Sequence, residues 1–234
     1  MDTGKRSNDA VHAAQPDTVR AVVFDFDGLL MDTESTSFLS WQYEWSQWGL
    51  TLPAADFFVN HGGDVTEDRY AMLAAAVGPR FDRTLSHRRR VAYREKLHEE
   101  LDLADGLREW LEEAARIGLR VAVASSSPLD WLTTHLRRAG VLDTFEVLAG
   151  GDEVARHKPA PDVYQLALDR LTLSGAAAVA VEDTAHGVAA AQAAGMRCIA
   201  IPNPFVAAER VRHADLVLAS ASQLRLADAL SKLS

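Results

Sequence analysis

Six short apolar runs are spread along the chain. Ala21-Val22-Val23-Phe24 is apolar without interruption, as a strand buried on both faces requires. Leu119 to Ala124, Val179 to Val181, Cys198 to Ile201 and Leu216 to Leu218 are similar, and Phe145 to Leu148 is a weaker sixth. Between them the period becomes helical. Leu107, Trp110, Leu111 and Ala114 share one helix face, and Gly118 is a stop signal. Leu129 to Ala139 repeats the pattern and stops at Gly140. Pro161 opens Asp162 to Leu171, and the alanine-rich stretch Thr184 to Ala194 stops at Gly195. From Gly106 onward helix and strand alternate. That order predicts an α/β fold with a doubly wound, Rossmann-like parallel sheet.

The segment from Asp32 to Asp102 breaks the rhythm. Its roughly 70 residues of helical pattern far exceed an ordinary crossover connection. Trp41, Trp45 and Trp48 fall at i, i+4 and i+7, the spacing of a small helical core. Arg69, Leu73 and Ala76, and then Leu85 to Leu101, also read as helices. An inserted helical domain accounts for this better than a loop. The expected divisions are a mobile tail at 1–18, a core at 19–32 and 103–234, and a helical cap at 33–102, returning to the core at Asp105-Gly106.

Composition narrows the function. The 234 residues include 33 acidic and 24 basic ones, a formal net charge of −9, which argues against bulk nucleic-acid binding. No run approaches the roughly 18 apolar residues of a membrane span. Met1 to Asp17 lacks the apolar core of a signal peptide, and Cys198 is the single cysteine, so no internal disulfide is possible. The expectation is a cytoplasmic monomer whose partner is a small molecule, with no nucleic acid and no membrane. Cys198 itself reads as a small core residue.

Ligands of open parallel sheets bind beyond the carboxyl ends of the strands. Asp25-Phe26-Asp27-Gly28 follows the first run and Ser125-Ser126-Ser127-Pro128 the second. Lys158-Pro159 lies in a loop after the weak run, and Glu182-Asp183-Thr184 follows the Val179 run. Crowded carboxylates repel unless a hard cation sits among them, and Mg²⁺ takes carboxylates together with substrate phosphate. A free carboxylate can be a covalent nucleophile. A second one, two residues on, can act as acid toward a leaving oxygen and then as base toward water. Hydroxyls, helix-start N–H groups and a lysine make a phosphate pocket.

These residues, with Asp32-Thr33-Glu34, Lys158-Pro159-Ala160-Pro161-Asp162 and Glu182-Asp183-Thr184-Ala185-His186-Gly187-Val188, resemble the four motifs of the haloacid-dehalogenase-like hydrolase superfamily. Within it they resemble the branch of β-phosphoglucomutase and the small sugar-phosphate phosphatases. The resemblance runs from about Val19 to about Leu218. It implies Mg²⁺-dependent phosphoryl transfer through an aspartyl-phosphate beneath a mobile helical cap. By the same resemblance Asp25 is the nucleophile and Asp27 the general acid/base. Mg²⁺ is held by Asp25, the backbone carbonyl of Asp27 and Asp183, with Glu182 acting through water. Ser125 and Lys158 hold the phosphoryl group, Ser126 beside them is a further substrate-binding candidate, and Lys158 keeps Asp25 ionised.

The expected activity is therefore a phosphatase on a small phosphorylated metabolite, with a sugar phosphate as first choice. The alternative is a phosphosugar mutase. Mutases of this branch carry a cap histidine and a cap arginine to grip a second phosphate. Here the corresponding positions are Ser37 and Thr66, both neutral, with Asp64 nearby and Arg69 out of register. A non-catalytic scaffold would have lost an aspartate, and neither is lost. His157 and His186 read as solvated, as does the run Arg88-Arg89-Arg90. A serine after Ser125 is expected to cap the next helix.

Overall fold

A computed structural model describes residues 18–53 and 65–233, so nearly all of the expected tail, together with Gly63 and Asp64, lies outside the described residues. Six parallel strands form one sheet: β1 (Ala21–Phe24), β2 (Arg120–Ala124), β3 (Val147–Ala149), β4 (Ala178–Glu182), β5 (Arg197–Ala200) and β6 (Leu216–Val217). Their order is β3-β2-β1-β4-β5-β6. The chain reverses its winding direction between β1 and β4, which is where a doubly wound sheet opens a crevice.

Successive β1 side chains enter different layers, as the strand period demands. Val22 and Phe24 pack with Leu107, Trp110 and Leu111 of α4 (Leu107–Arg116), Leu132 and Leu136 of α5 (Leu129–Arg138), and Leu226 of α8 (Leu226–Ser231). Ala21 and Val23 pack with Val163, Tyr164 and Ala167 of α6 (Asp162–Leu171) and Val188 and Ala191 of α7 (Ala185–Ala193). Cys198 is fully buried in this second layer. Continuous apolar runs and two covered faces are thus one fact seen twice.

Between β1 and α4 lie three helices among the described residues: α1 (Thr33–Ser46), α2 (Thr66–Val77) and α3 (Arg83–Glu99). Trp41 and Trp45 of α1 and Tyr70 and Leu73 of α2 form a separate apolar cluster with Leu52, and Trp48 lies at its edge. The Asp32 carboxylate caps α1 by accepting from the Ser35 N–H at 2.9 Å. Where the chain leaves and returns, Met31 bridges Leu103, and the Ala104 N–H donates to the Leu30 carbonyl at 2.9 Å.

The arginine run does not form the solvated face expected from sequence. Arg88 is exposed, but Arg89 pairs with the fully buried Glu44 at 2.7 Å. Arg90, 5% exposed, donates to the Tyr70 hydroxyl at 2.9 Å and lies over the Trp41 ring. Each residue turns about 100° around a helix, so three consecutive arginines cannot share one fate. No helix among the described residues is long and apolar enough to cross a membrane.

Candidate active site

Asp25 stands one residue beyond β1. Its N–H donates to the Val181 carbonyl at 2.9 Å, extending the ladder toward β4 and setting its side chain beside Glu182. Lys158 reaches this point from the loop before α6. Its ammonium donates to Asp25 Oδ1 at 2.5 Å, Glu182 Oε1 at 2.6 Å and the Ala124 carbonyl at 2.9 Å. All three N–H donors are thereby used. The Tyr164 hydroxyl adds a second bond to Glu182 Oε1, and Asn203 Nδ2 donates to Asp183 Oδ2 at 2.7 Å.

Asp25, Glu182 and Asp183 are all buried, and each offers one carboxylate oxygen within 4.8 Å of the others. Burial pushes Asp25 up to about 7; Lys158 opposes the shift, while Glu182 and Asp27 add to it. Burial, then Asp25 and Glu182, hold Asp183 well above the usual carboxylate range. Lys158 thus favours the ionised form of Asp25, in the expected direction, but does not outweigh burial by itself. One ammonium is shared between two of three buried carboxylates, too little positive charge for the group. The all-oxygen donor set and this charge deficit fit a hard divalent cation.

Asp27 belongs to a separate network. Its Oδ2 accepts from the Ser127 hydroxyl at 2.6 Å and more weakly from Ser125 at 3.4 Å. Its Oδ1 accepts from the indole N–H of Trp131 at 3.1 Å. Ser125 Oγ also accepts from the Ser127 N–H, while Ser126 is exposed on the cavity wall. None of these serines caps α5. The Leu129 N–H is taken by Asp152 Oδ1 at 2.9 Å, which frees Ser127 for Asp27. Gly28, at φ +83°, makes the turn behind this pair, and a Cβ there would lie 2.3 Å from Asp183 Oδ2.

The aspartates open into a cavity of about 630 Å³, within the size range of small-molecule sites. Its opposite wall comes from the three inserted helices and includes Glu34, Ser37, Thr66, Arg69 and Arg94. The neutral positions Ser37 and Thr66 do face the site, but two guanidinium groups accompany them. Arg69, out of register in the sequence, thus reaches the same wall as Ser37 and Thr66, as does Arg94. Glu34 moderates that charge; its carboxyl is pushed up by burial and by Asp27, against Arg69 and Arg94. His157 and His186 stand exposed at the cavity edge.

Sequence reading missed Ser127, Trp131, Asn203 and Arg94 as site residues. Asn203 follows the fifth apolar run, so the strand-end rule would have found it. Arg94 lies one turn beyond Arg90, in a row that the helical period could have shown. Trp131 lies within the helical run Leu129 to Ala139, and no local signal gives its direction.

Gly187 carries a prediction. A Cβ there would sit 1.9 Å from Glu182 Oε2, so the carboxylate rests directly against the start of α7. Gly187→Ala should drive Glu182 off Lys158 and lower kcat by at least about tenfold, while the α-helical circular dichroism is kept. Phosphate-release kinetics check this; unchanged turnover would show that the Glu182–Lys158 contact has no part in catalysis.

The family model of the haloacid dehalogenase-like hydrolases matches residues 22–201, spanning every strand that contributes to this site. The chain belongs to that family. A Bacillus subtilis (strain 168) protein named as a phosphatase, YhcW, is 31% identical over 210 residues, covering 89% of this chain and 95% of its own. A phosphorylated carbohydrates phosphatase of Thermotoga maritima is 32% identical over 183 residues, 77% of this chain and 84% of its own. The crystal structure of CbbY from Rhodobacter sphaeroides, in complex with phosphate, matches with a TM-score of 0.70 at 30% identity, covering 90% of this chain and 98% of that one. The family member described here is an enzyme, a phosphoric monoester hydrolase, with a parallel Rossmann-like core.

Proposed function

We propose that the protein is a Mg²⁺-dependent phosphatase that cleaves a small phosphorylated metabolite, a sugar phosphate first, through an aspartyl-phosphate. The observation that supports this most directly is the separation of the two aspartates. They face one cavity but sit on different hydrogen-bond networks, so each carboxylate is held by its own set of donors. Asp25, tied to Lys158, is the nucleophile. Asp27, held by hydroxyls that can both donate and accept, is the acid and then the base. Mg²⁺ held by Asp25, the Asp27 carbonyl and Asp183, with Glu182 beyond, would neutralise charge on the transferring group. A phosphoryl group arriving at Asp25 enters the field of the Lys158 ammonium, with the Ser125 and Ser126 hydroxyls on the same wall. The relatives' names support the phosphate-ester class, and two of them name phosphatases.

Helices α1 to α3 act as the cap that decides what enters. Arg69 and Arg94 on its wall favour a substrate with more than one anionic or hydroxyl-rich end, and they keep the mutase as the second reading. The test supplies β-glucose 1-phosphate, Mg²⁺ and a trace of the 1,6-bisphosphate. Release of inorganic phosphate without net isomerisation is the expected result. Glucose 6-phosphate formed faster than free phosphate overturns the phosphatase reading in favour of the mutase. If neither product forms, this sugar is excluded and the same assay is run across other phosphorylated metabolites.

A further inference from the structure

Trp131 has no part in the motifs that mark the family, yet its indole N–H reaches Asp27 Oδ1 at 3.1 Å. Its ring is fixed from both sides. One turn on along α5, the His135 ring lies 3.9 Å away, centroid to centroid, and His135 Nδ1 is 2.9 Å from the Trp131 carbonyl. From α3, His98 meets the indole edge-on at 5.0 Å, and the Arg94 guanidinium lies 5.6 Å from the ring centre. Arg94 Nε also donates to His98 Nε2 at 3.2 Å, so that nitrogen is the acceptor and His98 is neutral. Burial first, then Arg94, pushes His98 down to about 3.

An indole N–H only donates; it cannot accept a proton. It therefore ties down Oδ1, while Oδ2 is held by the Ser127 and Ser125 hydroxyls. We infer that Trp131 is a positioning residue for Asp27: its N–H fixes the carboxyl group in one orientation at the cavity, the orientation in which Asp27 meets the leaving oxygen. This rests on the reading of Asp27 as general acid. In that step an Asp25 carboxylate oxygen forms a bond to phosphorus. The ester P–O bond breaks with its electron pair going to the leaving oxygen. That oxygen takes the proton from Asp27, and the Asp27 carboxylate is left ionised.

The inference separates esters by how much their leaving group needs a proton. Phenol, with a pKa of about 10, needs one, whereas 4-nitrophenolate is a much weaker base and departs without it. Trp131→Phe keeps a ring in place and removes the N–H. It should lower kcat/KM for phenyl phosphate by at least about tenfold, and for 4-nitrophenyl phosphate by less than about threefold. If Trp131→Phe melts early, the benzothiophene analogue of tryptophan at position 131 supplies the same shape with sulfur in place of N–H. Equal losses on the two esters, or no loss on phenyl phosphate, overturn the inference and leave Trp131 a packing residue. Wild-type protein that hydrolyses neither ester in Mg²⁺ would instead sink the phosphatase reading, and the role of Trp131 with it.

Discussion

Asp25→Asn should lower kcat by at least about three orders of magnitude while leaving a folded protein. Asparagine keeps the shape of the side chain and removes the charge that attacks phosphorus. The fold should tolerate it, because the carboxylate it replaces is buried and crowded by Glu182. Lys158 exchanges a charged acceptor for a neutral amide oxygen and keeps Glu182 and the Ala124 carbonyl. The metal-free variant should therefore melt no lower than the wild type. Phosphate release and a thermal melt check both parts. A folded variant that retains more than about a tenth of the wild-type rate would show that Asp25 is not the nucleophile.

Removing divalent metal should abolish turnover, and added Mg²⁺ should restore it. The same site makes a prediction that needs no assay of activity. In the metal-free protein Asp25 is pushed up to about 7, against about 3.9 for an unfolded aspartate. The folded state then binds more protons than the unfolded state. Stability should fall as pH rises from about 4 through about 7, the reverse of an ordinary ion-paired carboxylate. Mg²⁺ binds the ionised carboxylates, so it should raise the melting temperature most at the alkaline end and flatten that slope. Full activity in excess chelator, or a melting temperature indifferent to Mg²⁺ at pH 8, would remove the metal from the proposal.

The inserted helices show where sequence reading succeeds and where it stops. Their existence follows from helical period over a stretch too long for a crossover. Their charge did not follow. Alignment at Ser37 and Thr66 suggested a neutral wall, but a cavity collects side chains from several helices. Arg94 of α3 arrives there from a position far along the chain from both. Arg90 gives the same lesson from the other side: read as solvated, it is buried on Tyr70 and beside Trp41.

By itself the sequence determined the layers of the core and most of the residues gathered at its strand ends. A strand covered on both faces must be apolar throughout, and a parallel sheet gathers its ligand residues at one edge. Asp25, Asp27, Ser125, Lys158, Glu182 and Asp183 could all be named on that basis. Both facts are local or topological, so they survive in a one-dimensional record. Only the tertiary structure decided how these residues pair. It set all three donors of Lys158 on Asp25, Glu182 and Ala124, and gave Ser127 to Asp27 rather than to a helix cap. It also brought the Trp131 N–H to Asp27 Oδ1. Hydrogen bonds depend on the direction and distance of side chains that here lie from 24 to 133 residues apart, and those are set by packing, which no single segment of the chain contains.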